Sequence, residues 1–292
     1  MFLANTLLAA AWLSVGLPHG PTRPVVARAP HCTLPGEKFG YPDGVAVAPD
    51  GTVYVVDTDS TILKKISPTG EVTRLGAGSL VYPTGVALAP DGTAYVADAG
   101  NHSIVRIGLG GEVSRLASRG LVYPAGLALG ADGALYIADA GREPGSGAVF
   151  RLSLTGRLQS LATGLHKPSS VALATDGTVY VTDTEINSII KINSLGEVSP
   201  VAGGEFNKPR GLAVGANGAV YVADTYNNRV QRIDAAGTVT TIASGFNYPS
   251  GIAIDRAGVV YVTDTGNGML KKINPTGVVM LLPELVGATR RP

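Results

Sequence analysis

Apolar residues along this chain fall in short runs of about five. Each run is rich in β-branched side chains and is closed by a turn containing glycine. The stretch 208–245, KPRGLAVGANGAVYVADTYNNRVQRIDAAGTVTTIASG, shows the pattern in full. A Pro-x-Gly lead opens an apolar run, and an Asn-Gly turn passes to Tyr-Val-x-Asp. A polar loop then gives way to a run ending in Arg232-Ile233, and a glycine turn leads into Val239-Thr240-Thr241-Ile242. Runs of this length and composition, divided by such turns, are strands. The 3.6-residue period of a helical repeat is absent.

The same unit is written six times. It opens at Pro42, Pro83, Pro124, Pro168, Pro209 and Pro249, spaced by 41, 41, 44, 41 and 40 residues. A fixed period in this range marks a repeat architecture. The first turn reads Asp50-Gly51, Asp91-Gly92, Asp132-Gly133, Asp176-Gly177 and Asn217-Gly218, with Ala257-Gly258 in the last copy. Such dipeptides tolerate the positive φ of a tight hairpin, so they join antiparallel neighbours. Tyr54, Tyr95, Tyr136, Tyr180, Tyr221 and Tyr261 each precede an aspartate by three, and the second turn carries Gly70, Gly111, Gly156, Gly196, Gly237 or Gly277. Four strands per unit and six units predict an all-β, six-bladed β-propeller with four antiparallel strands per blade. Alanine recurs in every first strand (Ala46, Ala87, Ala128, Ala172, Ala213, Ala253), as expected where innermost strands crowd toward an axis.

On these residues the unit resembles the NHL repeat: Pro-x-Gly-hydrophobic-Ala, Asp-Gly, Tyr-Val-x-Asp, then a loop Asn before Arg and a hydrophobic residue. Copy five is nearest, with Tyr221, Val222, Asp224, Asn227, Arg229 and Val230 in place. Copies two and six keep the loop asparagine as Asn101 and Asn267, copy one has Ser60, and copy four shifts it to Asn187. Copy three has an insertion instead. The resemblance spans residues 41 to 282. It implies the propeller fold and leaves function open, because members of that family bind protein or RNA, act as sensors, or are lyases.

The rest of the chain sets the boundaries. Residues 1–29 read as a signal peptide or an amino-terminal apolar anchor. Residues 2–17 are uncharged and short for a membrane span, and Ala27-Arg28-Ala29 is a candidate cleavage site. Residues 30–40 are expected to form a linker, with 25–34 as a candidate edge strand on the last blade. Residues 41–283 hold the propeller and 284–292 a tail. This places the protein outside the cell or on its surface, with the membrane touched only through the amino-terminal segment. A monomer is expected. Net charge is +1, and setting aside Arg23 and Arg28 leaves 21 basic against 22 acidic side chains. A near-neutral body excludes sequence-independent nucleic-acid binding, which needs a basic face. Cys32 is the only cysteine, so no internal disulfide forms.

Six aspartates (Asp57, Asp98, Asp139, Asp183, Asp224, Asp264) suggest a ring of carboxylates. A feature present once per blade is better read as loop capping by Asp. Differences between copies carry more information about function. In a four-stranded meander, the loop leading into strand one and the loop leaving strand two share a face, and loops on a rigid scaffold carry binding residues. The residue before each proline runs Tyr41, Tyr82, Tyr123, Lys167, Lys208, Tyr248. The residue after each proline runs Asp43, Thr84, Ala125, Ser169, Arg210 and Ser250, followed by glycine except in copy four. The loops leaving strand two add Asp59, His102, Arg142, Glu143, Glu185 and Tyr226, and blade three has the longest, 141–147. The candidate ligand set is therefore Tyr41, Asp43, Tyr82, Tyr123, Arg142, Glu185, Arg210 and Tyr226.

The propeller lyases that the fold resembles, peptide-amidating and streptogramin lyases, use several histidines around zinc or magnesium. Only His102 and His166 fall within the blades here. With Glu143 they compose a His₂Glu set of the kind zinc accepts. No Gly-x-Ser-x-Gly, His-Glu-x-x-His or phosphate loop is present. The expectation is a binding or sensing module without catalysis or cofactor, taking a protein, peptide or glycan. The alternative is a lyase or hydrolase dependent on zinc or another divalent cation and using His102, His166 and Glu143.

Overall fold

A computed structural model describes residues 39–117, 119–203 and 205–282. It shows a six-bladed β-propeller. Six separate antiparallel sheets occupy residues 42–75, 83–117, 124–165, 168–203, 212–244 and 249–281, each with its four strands paired in chain order. The innermost strands neighbour one another around the ring, and that of blade 1 (Pro42–Val47) touches those of blades 2 and 6. Blade 6 supplies its own outer strand, Val279–Leu281. The candidate edge strand at 25–34 lies outside the described residues.

Pleat alternation explains why the second strand of each blade reads as a nearly unbroken apolar run. Successive side chains point to opposite faces of a sheet, and both faces of a blade are covered by neighbours. In blade 1, Tyr54 and Val56 pack toward Val86, Val96 and Ile107 of blade 2, while Val53 and Val55 pack toward Ala253, Tyr261 and Leu270 of blade 6. The core is thus six slabs between blades. The repeated tyrosine lies opposite the repeated alanine on the adjacent strand, as in Ala46 with Tyr54 and Ala87 with Tyr95, so a small residue makes room for a large one.

That pairing changes the reason for the alanine. The closest approach between blades is two residues earlier, at the Pro-x-Gly glycine. A Cβ on Gly85 would fall 2.3 Å from the Ala125 carbonyl oxygen, on Gly211 2.1 Å from that of Ser250, and on Gly251 2.2 Å from that of Asp43. Blade 4 alone carries a side chain there, Ser170.

Hydroxyls stitch these seams. Thr58, Thr184, Thr225 and Thr265 donate to the carbonyls of Pro83, Pro209, Pro249 and Pro42 respectively, each on the next blade. In blade 2 the corresponding residue is Ala99, and Thr84 donates instead to the carbonyls of Pro124 and Ala125.

Candidate ligand-binding mouth

The repeated aspartates build the rim. All six are buried, between 0 and 2% exposed. Each accepts a backbone N–H from the loop leading into its own blade: Gly40 and Tyr41 donate to Asp57, Val81 and Tyr82 to Asp98, Val122 and Tyr123 to Asp139. His166 and Lys167 donate to Asp183, Asn207 to Asp224, and Asn247 to Asp264. Capping by aspartate is the role expected from the sequence, but its main object is the loop before strand one, not the one after strand two. The carboxylates are consumed by this work and do not form a cation ring.

Two rim residues break the pattern. Lys208 and Tyr248 adopt left-handed backbone, φ +48° and +51°, which costs a non-glycine residue about 1 kcal/mol or more. Their N–H groups turn to the side chains of Asn187 and Asn228 on the preceding blade. Asn187 and Asn228 are themselves left-handed, as are Thr61 and His102 at the matching places. Asn187 therefore corresponds to Asn228 and is not a shifted copy of Asn227, which donates to Asp224.

The loops surround a cavity of about 970 Å³ at one end of the axis. All eight candidate ligand residues line it, together with Glu143, His166, Lys167, Lys208, Tyr248, Ser169 and Ser250. Arg210 of blade 5 reaches Asp43 of blade 1, Nη2 to Oδ2 3.5 Å, and its Nη1 donates to the Tyr41 hydroxyl at 3.1 Å. Ser250 occupies the same ring position on the intervening blade, so the pair spans across it. The Arg210 backbone is fixed from below: its carbonyl accepts from Ser169 and Thr182 at 2.9 and 2.6 Å. The Asp43 charge holds the guanidinium even more firmly protonated, against the opposing effect of burial. Burial pushes the Tyr123 phenol above the ordinary tyrosine range; Tyr82 and Asp43 add to that rise and Arg210 opposes it.

Aromatic rings stand on two sides of the opening. Tyr82 and Tyr123 lie 6.3 Å apart and tilted by 53°, and Tyr226 meets Tyr248 edge to face at 5.2 Å. Glu185 pairs with Lys208 at 3.1 Å. In the long loop of blade 3, the Ser146 hydroxyl bonds the backbone of Arg142 and Glu143, presenting both at the cavity edge. Beyond its ring position, the sequence gives no sign of a role for Ser250. Its hydroxyl is buried and without a hydrogen-bond partner among the described residues.

The alternative catalytic set is not brought together. His166 and Glu143 open on the cavity, but His102 and Asp59 are not part of its lining. His102 ends a short 3₁₀ turn, and its ring contacts the Val122 carbonyl on the outer side of the rim. The acids facing the cavity include Asp43 and Glu185, each beside a cation, and no three of His, Cys, Asp and Glu converge among the described residues. This donor set does not fit a bound divalent cation.

Residues 30–283 match the virginiamycin B lyase family, and the chain belongs to it. A comparison with curated proteins gives no match. Solved structures share the fold. A catalytically inactive histidine-to-alanine variant of virginiamycin B lyase from Staphylococcus aureus, crystallised with quinupristin, is 18% identical with a TM-score of 0.63, covering 86% of this chain and 87% of its own. A gluconolactonase from Xanthomonas campestris is 20% identical with a TM-score of 0.73, covering 85% and 88%. A nidogen/laminin complex matches at 21% identity and a TM-score of 0.65, covering 73% and 85%. The chain is thus a six-bladed propeller of the virginiamycin B lyase family, and it shares its fold with a gluconolactonase and with the propeller of a nidogen/laminin complex.

Proposed function

We propose that the protein is a non-catalytic binding propeller that takes a protein, peptide or glycan ligand at the mouth of its axial channel. One observation carries this reading: eight side chains from five blades converge on a single cavity, with charges already paired there as Arg210–Asp43 and Lys208–Glu185. Preorganised polar groups among aromatic walls suit recognition. Of the alternative catalytic set, His102 stands outside the cavity, so the three residues do not assemble there. A glycan and peptide array read by thermal shift tests it. Ligands should raise the melting temperature, and Tyr82→Ala/Tyr123→Ala should abolish the rise. Ligands that bind unaffected by that double substitution would place the site elsewhere.

A second reading, a lyase or hydrolase acting at the same mouth, is favoured by family membership and by His166 and Glu143 opening on the cavity. Turnover of a bound ligand, abolished by His166→Ala, would establish it in place of the first. We also propose a secreted or surface-displayed monomer, held at the membrane by nothing beyond its amino-terminal segment. Secreted protein beginning after Ala29, eluting at the mass of one chain, supports this; retention in the cytosol refutes it.

A further inference from the structure

We infer that the ligand is a neutral saccharide whose terminal ring seats on the Asp43–Arg210 pair. The inference rests on the binding reading above and names the ligand class of the same mouth. Among the described residues, the Arg210 guanidinium donates only to Tyr41, and the Asp43 carboxylate accepts no hydrogen bond; their contact at 3.5 Å is ionic. Arginine has five N–H donors and a carboxylate about four acceptor sites. Vacant donors and vacant acceptors therefore stand side by side in a pocket where Arg210 is about a third exposed. A sugar diol, each of whose hydroxyls both donates and accepts, matches that edge. Between Asp43 and Arg210, at the same ring position on blade 6, Ser250 lines the same cavity, and its buried hydroxyl has no hydrogen-bond partner among the described residues.

Charge argues against an acidic ligand. A carboxylate placed on Arg210 would face Asp43 at a similar distance, and Coulomb terms of opposite sign nearly cancel. A polyol incurs no such opposition. Backbone chemistry argues against an extended peptide, which docks by pairing with free N–H and C=O groups of a strand edge. At this mouth the carbonyls of Pro42, Asp43, Pro124, Pro209, Arg210 and Pro249 already accept side-chain hydroxyls. The walls remain. Tyr82, Tyr226 and Tyr248 are between 43 and 50% exposed, and present apolar ring faces with a polar tip. The volume, near 970 Å³, lies toward the upper end of ligand pockets and leaves room for a short oligosaccharide.

Isothermal titration of the full-length protein with cellotetraose, mannotetraose, xylotetraose and tri-N-acetylchitotriose tests this, against tetragalacturonate and a free tetrapeptide, at low and at high sodium chloride. At least one neutral saccharide should bind saturably, with an affinity that changes less than about twofold between the two salts, because no net charge is matched. Asp43→Asn should weaken it at least tenfold. Tyr82→Ala, at an exposed position, should weaken it without lowering the melting temperature, which separates recognition from folding. Binding of tetragalacturonate or the peptide at the mouth, with none by the neutral saccharides, overturns the inference while the binding reading stands. Absence of saturable binding by every neutral saccharide overturns it as well. Release of products from a probe overturns the non-catalytic reading itself.

Discussion

Gly251→Ala tests the closure of the disc, on which the mouth depends. Gly251 lies on the seam between blades 6 and 1, and its φ is not in the left-handed region, so alanine is conformationally acceptable. The obstacle is contact. The new methyl would lie 2.2 Å from the Asp43 carbonyl oxygen, and 3.1 Å from both the Val45 nitrogen and the Thr263 hydroxyl. Relief requires the seam to open by roughly 1 Å, since ordinary Cβ contacts begin beyond 3 Å. Two short hydrogen bonds cross or brace that seam: Thr263 donates to the Asp43 carbonyl at 2.7 Å, and Gly251 N–H donates to the Thr263 hydroxyl at 2.6 Å. Losing them costs about 1 kcal/mol each. Overpacking adds about 1–3 kcal/mol, and the stiffer unfolded chain returns about 0.5–1. The net destabilisation is about 2–4 kcal/mol, a fall in melting temperature of roughly 5–15 °C for a domain of this size. Calorimetry and urea unfolding would read it. Ser170→Ala is the control, because blade 4 already accommodates a side chain there and the hydroxyl accepts only a 3.3 Å bond from Leu212. A Gly251→Ala protein within 1 kcal/mol of the parent would show that the seam is slack and that this reasoning fails.

Three further outcomes follow from the same geometry. Arg210→Ala should lower stability as well as weaken ligand binding. Asp43, only 12% exposed, makes its sole ion pair among the described residues with Arg210, so the substitution should cost about 1–2 kcal/mol in urea unfolding after allowance for partial screening, and Asp43→Asn in that background should restore most of it. Thr225→Val strips the buried Pro249 carbonyl of its 2.8 Å donor and should cost about 1–2 kcal/mol, whereas Thr69→Val, at an exposed turn, should change stability by less than half of that. Acid should weaken the fold through the hairpin turns: the N–H groups of Thr52, Thr93 and Thr178 hold Asp50, Asp91 and Asp176 below the ordinary aspartate range, and the Arg151 guanidinium does so for Asp132. A depressed folded value gives stability that is present above the unfolded value and lost as pH falls through the folded one. Urea midpoints should therefore decline below about pH 4, and less steeply when these aspartates are replaced by asparagine.

The fold was legible because each blade must solve the same local problems within its own forty residues. A hairpin needs positive φ at Gly51 or Gly92, and a doubly covered strand needs an apolar run such as Val53–Val56. These requirements leave their mark at fixed spacing. What the spacing hides is which atom meets which. Asp57 looks like a cap for the loop that follows it, yet its backbone donors lie 16 and 17 residues earlier. Asn187 looks like a displaced partner of its aspartate and is in fact a left-handed residue serving the next blade. His102 reads as chemistry because histidine is scarce in this chain, but it fills the turn position that Thr61 and Asn228 fill elsewhere. In each case the deciding partner is distant in sequence or the deciding variable is a dihedral angle, and neither has a periodic signature.

The candidate site follows a different logic. The repeated residues are spent on making the disc: the aspartates hold loops, the glycines let strands converge, and the threonines bind carbonyls across seams. Backbone groups at the mouth are therefore mostly committed, and selectivity is left to the positions that the repeat does not constrain. Of the six residues that follow the entry proline, only Asp43 and Arg210 carry charge. Their being on blades 1 and 5 was readable from sequence, but the step over Ser250 that joins them was not, since it requires blade 6 to return the chain to blade 1. Ring closure thus turns two isolated charges, 167 residues apart, into one neutral donor–acceptor edge. A seventh blade between them would separate them, so the same side chains could not act as a pair. The chemistry of this mouth is accordingly a property of the blade number as much as of the residues themselves.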